Sequence, residues 1–202
     1  MVDEQAQAPL PAKSRKAQIL KAAGDLFERR ADQEASMEAI AQHVGIRKAS
    51  LYYYFRSKDE LLGQMQQEMI EPVINAHQSR LGEGTLDPRG LLLAMMTDLV
   101  SLMETHPGHM RVYFERNREL PEVIRSKIAE QADRYRGMLV DVLNRGVAEG
   151  AFAVPAPNLT ALAILGMCGS TYQWYRPGGK RTAPEIAQYF YDTIMNGIGI
   201  PS

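Results

Sequence analysis

Apolar residues recur at the three- and four-residue spacing of helices along most of the chain, and no strand pattern or internal repeat is present. Beyond residue 58 this spacing predicts six helices, near residues 61–74, 91–103, 112–118, 123–148, 159–175 and 183–198. Pro72 lies within the first of them and is expected to kink it or divide it in two. Glycines and prolines separate the others, so the chain is predicted to be all-α.

Two short helices on either side of a glycine turn are predicted in the N-terminal third of the chain. Ser36 is a favourable N-cap for the first helix, and Gly45 ends it because glycine adopts the left-handed backbone easily. The second helix begins near Arg47 and buries Leu51 and Phe55, which lie four residues apart. Two helices in this arrangement form a helix-turn-helix, a motif that binds DNA.

The outward-facing side chains of this motif carry the chemical groups that DNA binding requires. In a helix-turn-helix, the N-terminal part of the second helix meets base edges in the major groove. Arginine and lysine pair with guanine acceptors there, and serine and tyrosine hydroxyls donate to phosphate oxygens. An alternative is a small helical core with an aromatic edge, but three consecutive tyrosines at 52–54 cannot share one buried face. The predicted DNA contacts are Ser36, Met37, Arg47, Lys48, Ala49, Ser50, Tyr52, Tyr53 and Lys58.

The net charge of −1 conceals a division between the two ends of the chain. Residues 13–58 carry ten Lys and Arg against five Asp and Glu, a balance of +5, whereas residues 59–202 carry thirteen against seventeen, a balance of −4. A basic segment that coincides with a helix-turn-helix fits a DNA-binding head, because phosphate neutralisation supplies much of the affinity. Residues 1–12 contain two prolines and no periodicity, which predicts a flexible arm. Lys13, Arg15 and Lys16 can let its end lie along the DNA backbone.

The cysteine content and the apolar runs bear on the cellular setting. The single cysteine, Cys168, excludes an intrachain disulfide and suits a reducing cytoplasm. The longest apolar run, Leu159 to Gly169, is too short to span a bilayer, and no signal-like segment opens the chain. We therefore expect a cytoplasmic protein that has no membrane partner.

The helix-turn-helix and its flanking segments resemble the tetracycline-repressor (TetR) family of transcriptional regulators. The residues that carry the resemblance are Ile40-Ala41, Val44-Gly45-Ile46, Ser50-Leu51-Tyr52-Tyr53-Tyr54-Phe55 and Lys58-Asp59-Glu60-Leu61-Leu62, with a first helix at Ile19 to Phe27. The resemblance covers residues 13–65. It implies a three-helix DNA-binding domain at 13–58 and a six-helix effector-binding and dimerisation domain at 59–202. It also implies a repressor that leaves a palindromic operator when a small hydrophobic effector binds, with a ligand that strengthens DNA binding as the alternative.

Two positions depart from the usual pattern of that family. Ala31-Asp32 stand where a glycine and an aromatic residue are usual after the first helix. Glu38 lies close to the N-cap, and its carboxylate would repel phosphate if it faced the groove.

The last two predicted helices bear on the oligomeric state. The helix at 159–175 is apolar nearly all round, so it must be covered on more than one side. In the resembled family these two helices form a twofold dimer interface, and a dimer presents two heads to a palindrome. Packing within a monomer is the alternative explanation. The predicted interface residues are Leu162, Leu165, Tyr172, Ile186, Phe190 and Ile194.

Candidate effector contacts lie in the predicted body. Methionines recur there and suit a pocket that adapts to apolar shapes, although core filling explains each one alone. Several segments resemble the branch of the family that senses acyl-CoA thioesters in fatty-acid and steroid breakdown. The resemblance assigns the acyl part to Met103, Tyr113, Met138 and Met167, with Trp174 and Arg176 near the polar end. A multidrug sensor that binds free lipophilic compounds is the alternative, and buried acids in the cavity would favour it.

An enzyme is the other class of protein to consider. The four histidines are His43, His77, His106 and His109, and no carboxylate cluster, phosphate-binding glycine loop or nucleophile motif accompanies them. His106 and His109 are three residues apart, but Pro107-Gly108 between them is expected to prevent them from sharing a helix face. We therefore predict no catalytic site, no metal site and no cofactor.

Overall fold

The computed structural model describes residues 12–29 and 36–197. Nine α-helices lie within these residues, and no strand occurs among them. The helices are α1 (Ala12–Arg29), α2 (Met37–Val44), α3 (Lys48–Tyr54), α4 (Lys58–Glu83), α5 (Pro88–Thr105), α6 (Pro107–Arg116), α7 (Glu122–Ala148), α8 (Pro157–Trp174) and α9 (Ala183–Asn196). The predicted all-α class is confirmed, with α1 to α3 forming a head and α4 to α9 forming a body.

Some predicted features lie outside the described residues. These are the arm at 1–12 except for Ala12, the departure at Ala31-Asp32, and Ile198 at the end of the last predicted helix. None of the helices that the structure describes is long and apolar enough to cross a lipid bilayer.

The core of the head does not stop where the body begins. Ile19, Ile40, Leu51 and Phe55 are fully buried in it, and they come from α1, α2 and the segment around α3. The same cluster continues into the body through Leu61, Leu62, Met65, Val112, Leu120 and Ile128. Burial of apolar surface on both sides of residue 58 therefore holds head and body together. Because the core is continuous across residue 58, packing does not mark a domain boundary there. The predicted boundary between a DNA-binding and an effector-binding domain stays a prediction.

A second core fills the body between α5, α7, α8 and α9. Met96 and Val100 of α5 pack there with Leu139 of α7 and Cys168 of α8. Burial raises the pKa of the Cys168 thiol to about 12, so this thiol is protonated and unreactive at neutral pH.

The helix α4 is continuous from Lys58 to Glu83, with Pro72 in its interior. Pro72 therefore does not divide this helix, and a kink at this residue stays a prediction. A proline removes one backbone hydrogen bond, but Met69 and Val73 on either side of it are buried in the body core, and their packing favours an unbroken helix.

The helix α6 begins at Pro107, five residues before its predicted start near Val112. Proline is well tolerated at the first position of a helix, where its missing N–H has no partner to lose. Gly108 then lets α6 pack directly on α1, because a Cβ at this position would overlap the carbonyl oxygen of Gly24 and lie 2.9 Å from its Cα. We call this backbone-to-backbone approach the glycine contact (Gly24 and Gly108).

Candidate DNA-binding surface and effector cavity

The turn between α2 and α3 has the geometry that the sequence predicts. The Ser36 hydroxyl accepts a hydrogen bond from the N–H of Ala39 at 3.1 Å and caps α2. Gly45 adopts the left-handed conformation (φ 72°), and its N–H bonds to the last turn of α2. Leu51 and Phe55 then hold α3 against the head, since both are fully buried.

One side of α3 and the turn before it is exposed, and we call it the recognition surface (Arg47, Lys48, Ser50, Tyr52 and Tyr53). Tyr53 is 84% exposed, although a tyrosine ring usually gains free energy from burial. Its ring packs edge-to-face on the neighbouring Tyr54, with ring centroids 5.3 Å apart. Most of the ring is left in solvent, where its hydroxyl can reach a phosphate. These side chains are exposed, as contact with DNA requires. The contact itself stays a prediction.

An ion pair lies at the edge of the recognition surface. Lys48 Nζ lies 3.0 Å from a carboxylate oxygen of Glu38, and both side chains are about half exposed. The hydrogen bond and the negative charge of Glu38 raise the pKa of Lys48. Lys48 must therefore leave or share this carboxylate before it can neutralise a phosphate.

The structure contradicts one of the predicted DNA contacts. Met37 is 7% exposed and packs in the core of the head, so its predicted contact with DNA is wrong. The first turn of α2 turns this side chain inward because Ile40, three residues later, is buried on the same face. Ala49 is exposed, and Lys58 is half-buried at the start of α4. Arg56, which is not among the predicted contacts, is also exposed, in the turn that follows α3.

A cavity of 330 Å³ lies in the body between α4, α5, α6, α7 and α8. Its wall is almost entirely apolar, and no carboxylate or cationic side chain lines it among the described residues. The residues that line it are Gln66, Met69, Ile70, Leu99, Leu102, Met110, Tyr113, Phe114, Ile128, Gln131, Ala132, Tyr135, Leu162, Leu165, Gly166 and Gly169. We call it the effector cavity.

A polar groove of 480 Å³ lies next to this cavity, where the end of α8 meets α1 and α6. The residues that line it are Glu28, Met103, Pro107, Arg111, Glu115, Tyr172, Gln173, Tyr175, Arg176 and Pro177. Phe114 of the cavity wall stacks on Tyr172 of the groove wall, with ring centroids 4.3 Å apart. Gly169 leaves room for this arrangement, because a Cβ there would lie 2.9 Å from the ring of Phe114. One stacked aromatic pair therefore separates the effector cavity from the polar groove.

The six predicted effector contacts do not form one site. Tyr113 lines the effector cavity, whereas Met103 and Arg176 line the polar groove. The remaining three, Met138, Met167 and Trp174, line neither space, so the predicted grouping of all six is wrong.

The helical faces explain why two of these residues, Met138 and Trp174, lie elsewhere. Met138 packs against the body core, and Trp174 is 50% exposed with its ring edge against Phe190 of α9. The cavity wall, in contrast, depends on how α6 crosses α4 and α8. Spacing along one helix does not contain this information.

The predicted dimer residues divide in the same way. Ile186 is buried against the core of its own protomer, so it is not available to a partner and that prediction is wrong. Leu162 is half exposed, and Leu165, Tyr172, Phe190 and Ile194 are partly buried. Leu159 and Tyr189 are more exposed and were missed. Dimerisation through α8 and α9 stays a prediction.

The two central histidines lie closer together than the sequence indicates. His106 caps α6 and His109 lies in its first turn, with ring centroids 5.1 Å apart, so the expected separation is wrong. Because proline starts the helix instead of breaking it, both residues belong to one turn. Burial lowers the pKa of His109 to about 4, with a further contribution from His106, and the ring is neutral at neutral pH. Within the described ranges, no group of three side chains has the arrangement of a metal site.

Two family models match the chain. One, described as bacterial regulatory proteins of the tetR family, matches residues 19–65, and another, described as a tetracyclin repressor-like C-terminal domain, matches residues 85–198. The chain is also 27% identical over 190 residues to the HTH-type transcriptional repressor KstR2 of Mycobacterium tuberculosis, which covers 92% of this chain and 93% of that protein.

Solved structures with the same fold include two further regulators. The TetR family transcriptional regulator PfmR from Thermus thermophilus has a TM-score of 0.83 and 28% identity, covering 90% of this chain and 99% of that chain. AibR in complex with isovaleryl coenzyme A and operator DNA has a TM-score of 0.77 and 23% identity, covering 89% of this chain and 97% of that chain. The family consists of DNA-binding regulators and not of enzymes, which excludes the enzyme alternative. The chain belongs to the TetR family and is a ligand-responsive transcriptional regulator with an N-terminal helix-turn-helix.

Proposed function

We propose that this protein is a homodimeric repressor that leaves a palindromic operator when an acyl-CoA thioester fills its effector cavity. The observation that carries the proposal is that α4 and α6 wall the cavity and also pack against the head. A ligand that prefers one arrangement of these helices therefore shifts the position of the head. A coupling free energy of about 1–3 kcal/mol per ligand changes operator affinity roughly 5- to 150-fold, which is sufficient for release.

The glycine contact supports transmission from cavity to head. Gly24 and Gly108 bring the two backbones together with no side chain between them, so α1 must follow a displacement of α6. Arg111 reinforces the same joint, since its guanidinium donates to the carbonyl oxygen of Glu28 at the end of α1 at 3.2 Å. The polar groove lies at this joint.

The size of the effector cavity favours an acyl group or a small fused ring. Pockets for small molecules measure roughly 300–1,000 Å³, so this cavity of 330 Å³ lies at the small end of that range. A whole CoA thioester exceeds this volume, and its nucleotide part must lie outside. The polar groove is the adjacent space that offers polar contacts, beyond the pair of Phe114 and Tyr172.

The wall of the effector cavity disfavours a lipophilic cation, and the polar groove contains an arginine that can bind an anion, with Glu28 and Glu115 also lining it. Carboxylates are absent from the described wall of the effector cavity, and these would be needed to stabilise a buried cation. In the groove, Arg111 is paired with Glu115 at 3.1 Å, whereas Arg176 has no carboxylate partner among the described residues. A guanidinium in this position can bind a phosphate through two donors. AibR, a fold neighbour, is described in complex with isovaleryl coenzyme A.

The proposal is tested with DNA fragments that the purified protein selects from a random library. A panel of CoA thioesters is then titrated into the labelled complex, and release is followed by fluorescence anisotropy. We expect at least one thioester to release the DNA, and a mass of two chains for the protein by light scattering. Arg176→Ala is expected to weaken thioester binding by about tenfold in calorimetry, because a hydrogen-bonded charge pair is lost.

Arg181→Ala is the matched control. This exposed arginine pairs with Glu185 at 3.6 Å and does not line the polar groove, so thioester binding should stay unchanged. Release by free lipophilic cations, with no response to any thioester, would instead establish the multidrug alternative. Tighter DNA binding in the presence of a thioester would make the ligand a corepressor and contradict the proposed direction.

A further inference from the structure

The wall of the effector cavity contains one buried polar side chain whose hydrogen bonding is incomplete. Gln66 of α4 is only 2% exposed and lines the cavity. Its Nε2 donates to the carbonyl oxygen of His109 in α6 at 3.2 Å. No group among the described residues bonds to its Oε1, and less than 1 Å² of this atom is accessible to a water-sized probe from either the solvent or the cavity.

The orientation of this amide follows from its partner. The carbonyl oxygen of His109 can only accept, so the NH₂ group must face it and Oε1 must point elsewhere. A buried acceptor without a partner is unfavourable compared with its hydrated state, and such atoms are uncommon in folded proteins. The other unpaired buried side-chain atoms among the described residues belong to His77 and Asn117, and neither of these lines the cavity.

The other polar groups of the cavity wall differ from Gln66. The Tyr135 hydroxyl already donates to the carbonyl oxygen of Met95 at 3.3 Å. Gln131 of α7 is half-buried, and its side chain is not among the unpaired buried groups. Oε1 of Gln66 is therefore the buried acceptor of this wall that lacks a donor, in surroundings that are otherwise apolar.

We infer that a small shift of the cavity wall on binding exposes Oε1 of Gln66, that this atom then accepts a hydrogen bond from the effector, and that the effector therefore carries a hydroxyl or N–H donor on the apolar part that enters the cavity. This inference rests on the proposed function only in taking the cavity as the effector site. Within the acyl-CoA class, it selects a hydroxylated chain or ring over the saturated hydrocarbon. A site that is built to hydrogen-bond a donor discriminates strongly against an analogue without it, because the buried acceptor then stays unpaired.

The same side chain joins the cavity to the head. Nε2 of Gln66 holds the first turn of α6, and the ring of His109 in that turn lies against α1, where a Cβ on Gly24 would be 2.8 Å from its Cε1. A donor that binds Oε1 therefore acts on the side chain that connects α4 to the glycine contact.

The inference is tested with indole and benzofuran, which have nearly the same size and shape but differ in one donor. The N–H of indole is replaced in benzofuran by an oxygen that can only accept. We expect calorimetry on the full-length wild-type protein to show roughly three- to tenfold tighter binding of indole, as for one neutral hydrogen bond. In Gln66→Met, binding of benzofuran should persist and the preference for indole should disappear. Retained binding of benzofuran also shows that the variant is folded.

Gln67→Met is the matched control, since it makes the same change at a neighbouring amide of α4 that lines neither the effector cavity nor the polar groove. The preference for indole should survive in this variant. Equal affinities of the two probes in the wild type, a preference that survives Gln66→Met, or one that is lost in Gln67→Met would each overturn the inference. Failure of both probes to bind at their solubility limits would overturn it too.

A second pair of ligands separates this inference from the proposed function. Decanoyl-CoA and 10-hydroxydecanoyl-CoA are compared in operator release and in binding to wild type and Gln66→Met. A preference for the hydroxylated thioester that depends on Gln66 supports both claims. Release by the two thioesters at equal concentrations, with equal affinities for indole and benzofuran, leaves the proposed function intact and overturns the inference. A Gln66-dependent preference for indole with no thioester binding supports the inference and overturns the acyl-CoA proposal.

Discussion

The recognition surface and the effector cavity are assembled in opposite ways. The recognition surface takes consecutive residues from one turn and one helix of seven residues, and its side chains are exposed. The effector cavity takes its wall from five helices between Gln66 and Gly169, and most of that wall is also part of the hydrophobic packing. DNA-binding chemistry is therefore local and separable from stability, whereas effector binding cannot be changed without changing how the body packs.

The glycine contact connects the helices of the effector cavity to the head that carries the recognition surface. Its disruption should therefore have the largest effect on both stability and operator binding. In Gly108→Ala, the new Cβ would overlap the carbonyl oxygen of Gly24, which is backbone and cannot rotate away. The helices α1 and α6 must separate, and overpacking of this kind lowers the free energy of unfolding by about 3 kcal/mol. Urea unfolding followed by far-ultraviolet circular dichroism measures this loss. Operator affinity should fall as well, because the head is displaced.

Gly137→Ala in α7 is the matched control for this substitution. A Cβ on Gly137 meets no atom within 4 Å, and alanine is the better helix former. The free energy of unfolding should therefore rise by about 0.5–1 kcal/mol. A similar loss in both variants would show that the close approach at Gly108 is not what makes glycine necessary there.

Tyr53 should separate DNA binding from stability within the head. Its ring is exposed except for the edge-to-face contact with Tyr54, so Tyr53→Ala is expected to lower the free energy of unfolding by less than about 1 kcal/mol. Operator affinity should fall by about tenfold, and Tyr53→Phe should show most of this loss if the hydroxyl donates to a phosphate. Anisotropy with the labelled operator measures both effects.

Val123→Ala provides the comparison for Tyr53, because Val123 is also exposed but lies on α7, outside the helix-turn-helix. Its operator affinity should equal that of the wild type. If Tyr53→Ala binds the operator normally, the recognition surface does not include this side chain.

The same contrast explains how much the sequence could predict. Ser36, Gly45, Leu51 and Phe55 act through neighbours within a few residues, so capping preferences and helical spacing were sufficient to predict the helix-turn-helix. The DNA contact predicted for Met37 was wrong because the direction of this side chain depends on how α2 packs on the rest of the head. The favourable N-cap before it does not determine that packing.

The effector cavity was less predictable, since its wall depends on crossings between helices that are distant in sequence. The start of α6 at Pro107 sets which side of α6 meets α4 and α8, and this start was placed five residues too late. Trp174 was assigned to the ligand because of its chemical type, yet α8 directs it outward toward Phe190. Gln66 has no signal in the sequence, because only the fold shows that this polar residue is buried beside a cavity.

Glu38→Gln is expected to have the smallest effect and the opposite sign, since it should strengthen operator binding. The carboxylate of Glu38 holds Lys48 at 3.0 Å and so competes with the operator phosphates for this cation. Exposed pairs of this kind are weak, so operator affinity should rise about two- to fivefold at physiological salt. The gain should disappear in the Lys48→Gln background, because the freed cation is its source, and it should shrink as salt screens the phosphates. Glu130→Gln, an exposed carboxylate on α7, controls for the change in net charge alone and should leave affinity unaltered. A gain that persists without Lys48 would mean that Glu38 acts by direct repulsion of DNA, and that Lys48 does not contact the operator.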